Sequence, residues 1–221
     1  MISSRLRYRL LVFDWDGTLA DSTSIIAEAI QSACRDIGEP VPDDVSARFV
    51  IGLGLAQALA HVAPALPGHR HHELSARYRH HYLARDAQIP LFDGAAALLA
   101  DLHAQGYLLA VATGKTRVGL DRALAGNALG NRFHATRCAD EGHPKPHPDM
   151  LLHLMSTLEV VPHETLMIGD TTHDLELARA AGADSLAVAY GAHQAEGLAG
   201  GGPLAIVHSI GELRAWLAAN A

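Results

Sequence analysis

Lysine is nearly missing from this chain, and cysteine is as scarce. Lys115 and Lys145 are the only lysines, although arginine is plentiful. A chain that otherwise relies on arginine keeps lysine where a compact, strongly hydrated point charge is wanted, which makes both lysines candidates for a site. Cys34 and Cys138 are the only cysteines and form neither a disulfide framework nor a thiolate metal motif. That suits a reducing cytoplasm, the expected location. Long apolar runs are absent too. The stretch after Arg5, Arg7 and Arg9 is far too short for a signal-peptide core or a membrane span, so no membrane partner is expected. Excess positive charge is also lacking: the formal net charge of −7 argues against a nucleic-acid partner held through its phosphates. No repeat or low-complexity linker is visible. What remains is a 221-residue chain that is 49% hydrophobic, enough for one large core or a core with a smaller insert.

The chain is organised around Leu10-Leu11-Val12-Phe13-Asp14-Trp15-Asp16-Gly17-Thr18-Leu19. Apolar residues without alternation read as a strand buried on both faces. The run ends in Asp14 and Asp16, two apart, which an extended backbone points to one side, with Trp15 filling the core on the other. Alone, this is also what a turn after a strand looks like. Residues 22–86 contain no strand pattern. A helix is expected over about Thr23–Ile37, a second helical region over Asp43–Ala63 and a third over Glu73–Ala84, together forming an all-helical insert. The remainder alternates. Helices are expected over Gly94–Gln105, from Lys115 to about Ala125, over His147–Leu158 with Pro148 in its first turn, over Thr172–Ala181 and over Ile210–Ala219. Strands are expected at Tyr107–Ala112, Phe133–Cys138, Thr165–Ile168, Ser185–Ala189 and Ala205–His208. This alternation predicts an α/β fold with a doubly wound parallel sheet, in which ligands bind beyond the carboxyl ends of the strands. Asp14, Thr113 and Asp170 lie at such ends, and Lys145 lies in a loop leaving another strand.

Asp14, Asp16, Asp170 and Asp174 are strongly negative together, and a phosphate monoester adds roughly two more charges. Such an assembly needs cations. Magnesium prefers oxygen ligands and needs few carboxylates, and a lysine can neutralise what is left. The Thr113 hydroxyl can donate to a phosphoryl oxygen. A metal-shielded Asp can then attack phosphorus and form an acyl phosphate, while Asp16 protonates the leaving alcohol and later activates water. Each piece has a plainer reading: a strand-to-helix turn for Thr113-Gly114-Lys115, an exposed loop for Lys145, a surface turn for Asp170, and a helix capping box for Thr171 and Asp174. The histidines in Gly68–His72 and at His80 and His81 lack a tetrahedral metal frame and read as polar surface.

The combination resembles the haloacid dehalogenase superfamily, in particular phosphoglycolate-phosphatase-like members with a helical cap after the first strand. Phe13–Ser22 is similar to its first motif, Thr113 to its second, Lys145-Pro146-His147-Pro148 to its third, and Gly169–Asp174 to its fourth. The resemblance implies a core of residues 1–21 and 87–221 and a cap of residues 22–86. It implies Asp14 as nucleophile and Asp16 as general acid/base, with Thr113 and Lys145 completing the catalytic set. It also implies Mg2+ held by Asp14, the Asp16 backbone carbonyl and Asp170, supported by Asp174. Gly114 and Lys115 are expected to contact substrate, although Gly114 replaces an Asn of many relatives. Arg48 and Gly52–Gly54 resemble the part of the cap that faces the site, and Arg48 is expected to meet an anionic part of the substrate. Asp16 argues against dehalogenation, and the lack of lysine in the cap argues against phosphonate hydrolysis. The expected activity is hydrolysis of a small phosphorylated metabolite, phosphoglycolate first, by a monomer or homodimer. The rivals are a sugar phosphomutase and a phospho-accepting signalling domain.

Overall fold

The computed structural model describes residues 7–127 and 129–221. The first six residues of the expected core lie outside the described residues. Six strands form one parallel sheet: β1 (Leu10–Phe13), β2 (Leu108–Thr113), β3 (Ala135–Cys138), β4 (Thr165–Gly169), β5 (Asp184–Val188) and β6 (Ile206–Val207), in the order β3-β2-β1-β4-β5-β6. Strand β1 is central and every residue in it is buried, which explains its unbroken apolar run. Leu11 and Phe13 face one side, with Leu109, Val111, Leu166 and Ile168 from its neighbours. Leu10 and Val12 face the other, with Ala110, Ala112 and Met167.

Helices cover both faces. α5 (Ala95–Ala104), α6 (Arg117–Gly126) and α10 (Ile210–Asn220) supply Leu98, Leu99, Leu120 and Leu213 to the first side, where Trp15 is also buried. α7 (Asp149–Leu158) and α8 (Thr172–Ala181) supply Met150, Leu154 and Leu177 to the second. Fully burying each such side chain contributes about 1.5–3 kcal/mol. Between β1 and β2 the chain makes α1 (Thr23–Asp36), α2 (Asp44–Phe49), α3 (Leu55–Val62) and α4 (His71–Leu83). These pack mostly on one another, through Ile26, Ile30, Val50 and Ala58 in one cluster and Cys34, Leu59 and Leu74 in another.

Three details differ from the sequence reading. The region over Asp43–Ala63 is two helices, because Gly52 takes φ +92° in a turn between them. Pro148 caps α7 rather than sitting inside its first turn. A short helix, α9 (Ala195–Ala199), follows β5 where none was expected. Among the described residues no helix is long and apolar enough to cross a membrane.

Candidate active site

Strand order reverses between β1 and β4, and that boundary opens a crevice at their carboxyl ends. The Asp14 N–H donates to the Ile168 carbonyl at 2.9 Å, so the ladder holds up to the first carboxylate and ends there. Carboxylate oxygens of Asp14, Asp170 and Asp174 lie within 4.8 Å of one another, and all three residues are completely buried. Lys145, equally buried, reaches in from the loop after β3. Its Nζ is 2.8 Å from Asp14 Oδ1 and 2.5 Å from Asp174 Oδ1. Two of the three carboxylates therefore share one ammonium.

Burial pushes the Asp14 carboxyl up to about 7; Lys145 opposes the rise, and Asp174 and Asp16 add to it. Burial also raises Asp170 well above the usual carboxylate range, reinforced by Asp14 and Asp174. For Lys145, burial disfavours the charge, but Asp14 and Asp174 outweigh it and hold the ammonium above its ordinary range.

Each carboxylate is held differently. Asp170 Oδ1 accepts from the Thr18 hydroxyl at 2.9 Å and Oδ2 from the Ala192 N–H at 2.7 Å. Gly17 makes this approach possible: at φ +83°, a Cβ there would sit 2.1 Å from Asp170 Oδ2. Asp174 Oδ2 accepts from the Thr171 N–H at 3.1 Å and the Thr171 hydroxyl at 2.7 Å, while Oδ1 faces Lys145. Its capping role and its place in the charge cluster are thus one arrangement. Asp14 is different. Lys145 faces it as an ion-pair partner, yet neither Asp14 oxygen accepts a hydrogen bond of good geometry among the described residues. An all-oxygen donor set in which the buried Asp14 carboxylate has no partner but the Lys145 ammonium fits a hard divalent cation.

The Asp16 carboxylate lies outside this cluster. Its Oδ1 accepts from the Ser22 hydroxyl at 2.7 Å and is 3.0 Å from Lys115 Nζ. Lys115 also donates to the Tyr82 hydroxyl of α4 at 2.7 Å, which links the core to the helical insertion. Thr113, buried at the end of β2, accepts from the Lys115 N–H at 3.2 Å. Gly114 lets the insertion come close: a Cβ there would stand 2.6 Å from both the Gly52 and Leu53 carbonyl oxygens. Backbone cannot give way as a side chain end can. A Gly114→Ala protein is therefore expected to stay folded with the 52–53 turn displaced and any activity reduced about tenfold, equivalent to about 1.4 kcal/mol. Steady-state kinetics and a crystal structure of the variant check this; unchanged kinetics with an unmoved turn would refute it.

A cavity of about 330 Å³ opens between insertion and core, lined by Asp16, Gly114 and Lys115 from the core and by α1, α3, α4 and the 50–55 turn. Arg48 is not part of its lining. Its guanidinium pairs with Asp44 at 2.8 Å and donates to the Thr23 and Ser24 hydroxyls at 2.8 and 3.1 Å. In this arrangement Arg48 braces α2 against α1 rather than facing the site, because i,i+4 spacing puts Asp44 within reach.

Of the two histidines flanking the motifs, His147 is exposed, and His173 is buried. His173 and His193 both direct Nε2 at the Phe49 carbonyl, at 2.8 and 3.0 Å. His193 Nδ1 accepts the Thr172 N–H, which requires the neutral ring protonated at Nε2. The Phe49 ring stacks on His193 at 5.3 Å and meets the edge of His173. The end of α2 is thereby fastened to the core beside Asp174. Burial lowers both histidines, in keeping with the neutral form.

Ala192, His193 and Tyr82 have no counterpart in the sequence reading, and Ser22 figures there only as the end of the first motif, without its contact to Asp16. The one signal for the first two is position, since Tyr190–His193 follows β5 at the same sheet end as Asp14 and Asp170.

Residues 11–188 match the model of the haloacid dehalogenase-like hydrolase family. The chain is 37% identical over 210 residues to the probable phosphatase IndB of Dickeya dadantii, covering 92% of this chain and 91% of that one. It is 34% identical to the tyrosine-protein kinase PtkA of Mycobacterium tuberculosis, covering 93% of this chain and 71% of that one. It is 32% identical to a phosphoglycolate phosphatase of Aliivibrio fischeri, covering 85% and 87%. With the acidic crevice, the parallel sheet and a family match over most of its length, the chain belongs to the haloacid dehalogenase-like hydrolases.

Proposed function

We propose that this chain is a magnesium-dependent phosphatase of small phosphorylated metabolites that works through an aspartyl-phosphate intermediate. The observation that carries it is Asp14: a buried carboxylate at the strand-end crevice, faced by Lys145 at 2.8 Å and with no other donor on either oxygen among the described residues. A carboxylate left with free lone pairs beside an ammonium is suited to in-line attack on phosphorus. Asp14 forms the acyl phosphate as the ester oxygen leaves with a proton from Asp16, which stands on the cavity side. Asp16 then takes a proton from the water that cleaves the acyl phosphate. Ser22 and Lys115 hold the Asp16 carboxylate in place for both transfers. The Thr113 hydroxyl and the Lys145 ammonium receive phosphoryl oxygens, and Gly114 and Lys115 form the wall next to them.

Asp14, Asp170 and the Asp16 backbone carbonyl would hold magnesium, with Asp174 bracing Lys145 and the start of α8. When bound, the ion supplies positive charge that lets a phosphate dianion approach the carboxylates. Residues 22–86 act as a cap over a core of residues 1–21 and 87–221. Since Asp14 is completely buried, substrate enters when the cap swings off, and closure expels water. A cytoplasmic location and action as a monomer or homodimer complete the reading drawn from the sequence, in which phosphoglycolate is the first ester to test.

The test is phosphate release from a panel of phosphoglycolate, sugar phosphates and nucleoside monophosphates, with magnesium, with chelator, and with Asp14→Asn. Release that depends on both magnesium and Asp14 is expected, the variant losing at least ~10³-fold. No release from any ester by folded, magnesium-loaded protein would overturn the reading.

A further inference from the structure

The cavity beside Asp16 is shaped and lined for more than a two-carbon acid. We propose that the leaving group is a neutral alcohol carrying an apolar ring, so that the preferred substrate is a ring-bearing phosphomonoester rather than a small phosphorylated hydroxy acid. This rests on the phosphatase reading above. The lining includes Asp16, but not Asp14, Asp170, Asp174 or Lys145. The cavity therefore lies on the leaving-group side of the proton donor, beyond the place for phosphate. Its volume is about 330 Å³, room for many waters. A glycolate would leave most of that space as water against apolar walls.

Those walls are Ile26, Ile30, Val50, Leu53, Ala58 and Val118 among others, from α1, the 50–55 turn, α3 and α6. Tyr78 and Tyr82 stack at 5.8 Å along one side and offer ring surface to a ring. The cations do not favour a carboxylate. Lys115 is taken by Asp16 at 3.0 Å and by the Tyr82 hydroxyl at 2.7 Å. Arg122 is paired with Asp86 at 2.8 Å, and Arg48 is held outside the lining by Asp44, Thr23 and Ser24. Arg79 is the lining cation left, and it is exposed to solvent, at the edge rather than the floor. A carboxylate attached next to the ester carbon has to lie on the floor beside Asp16. There it would be desolvated and would add a like charge to Asp16.

The test uses the full chain with magnesium and compares benzyl phosphate, ethyl phosphate and phosphoglycolate, alkyl esters whose leaving alcohols differ little in reactivity, with acetyl phosphate as a small activated probe. Expected is a kcat/KM for benzyl phosphate at least ~30-fold above ethyl phosphate and phosphoglycolate, most of it in KM. Filling the cavity by Ala58→Phe should lower the benzyl-to-ethyl ratio about tenfold. Ala58 is buried, so Val118→Trp, at an exposed position on the lining, repeats the test with less risk to folding. Phosphoglycolate turned over as well as benzyl phosphate, or a ratio untouched in both folded variants, would overturn this inference and leave the phosphatase reading standing. Failure of all four substrates, acetyl phosphate included, would overturn the phosphatase reading and this inference with it.

Discussion

In the absence of divalent cation, Asp14→Asn is expected to unfold at a higher temperature than the wild type at about pH 8, and the gap should narrow by more than half towards pH 5. Three carboxylates are buried together and one ammonium, that of Lys145, pairs with two of them, Asp14 and Asp174, which leaves two negative charges uncompensated when all are ionised. Burial sets the Asp14 carboxyl at about 7, against 3.8 for an unburied one. A carboxyl raised on folding binds more protons in the folded protein than in the unfolded one between those two values. Its ionisation therefore costs stability fully above about pH 7, and the cost is relieved as the pH falls towards 4. Asparagine removes that cost, on the order of 4 kcal/mol above pH 7 and under about half of that by pH 5. His173 and His193 act in the opposite sense: lowered on folding, they cost stability as the pH falls below their ordinary value. They are present in both proteins and cancel, so the difference reports Asp14 together with Asp170 and Lys145, whose charges Asp14 biases. Saturating magnesium should narrow the gap at pH 8, since a ligand at about a hundred times its Kd adds roughly 2.7 kcal/mol to the protein that binds it. Thermal unfolding with chelator and with magnesium, at both pH values, checks this. A variant less stable than wild type at pH 8 without cation would show that Asp14 is not held against its preference.

Much of this arrangement is legible in the sequence, for a physical reason. Strands β1, β2 and β4 are buried on both faces, so they appear as apolar runs that stop where the chain turns polar, and in a parallel sheet those stops share one end. Asp14, Thr113 and Asp170 stand at such stops. Lys145 is visible through scarcity: one of two lysines, and a completely buried one. Its burial between the carboxylates of Asp14 and Asp174 also explains the choice over arginine, whose wide planar fork does not converge on both as a point charge does.

What stays hidden depends on contacts that leave no pattern. The Ala192 N–H that binds Asp170 belongs to a loop where any residue supplies the same group. Tyr82 lies on a helix that reads as polar surface, yet its hydroxyl meets Lys115 across the boundary with the core. His173 stands in a motif, but its partner is the carbonyl of Phe49, more than a hundred positions earlier. Arg48 illustrates the reverse. Resemblance points it at substrate, whereas the local i,i+4 pairing with Asp44 and the hydroxyls of α1 engage it elsewhere.

Lys145→Met should be the most destabilising single change in the site. Methionine retains most of the apolar stem but leaves Asp14 and Asp174 buried without their cation, beside the equally buried Asp170. Removing one partner of a buried ion pair typically costs about 3–5 kcal/mol, because the remaining charge is left uncompensated. At about 2–4 °C per kcal/mol for a chain of this size, Tm should fall by roughly 10 °C. Lys145→Arg should restore little of it, since both carboxylate contacts of Lys145, at 2.8 and 2.5 Å, converge on one nitrogen. A double-mutant cycle separates the cause from simple loss of packing. If Lys145 acts mainly by countering Asp14, Asp14→Asn should recover part of the loss in the Lys145→Met background, and by more than it stabilises the wild type. If the lysine stem matters chiefly as filler, the two changes add independently. A Tm within 2 °C of wild type for Lys145→Met would mean that the cluster adjusts by protonation alone, and that the ammonium is there for the phosphate rather than for the fold.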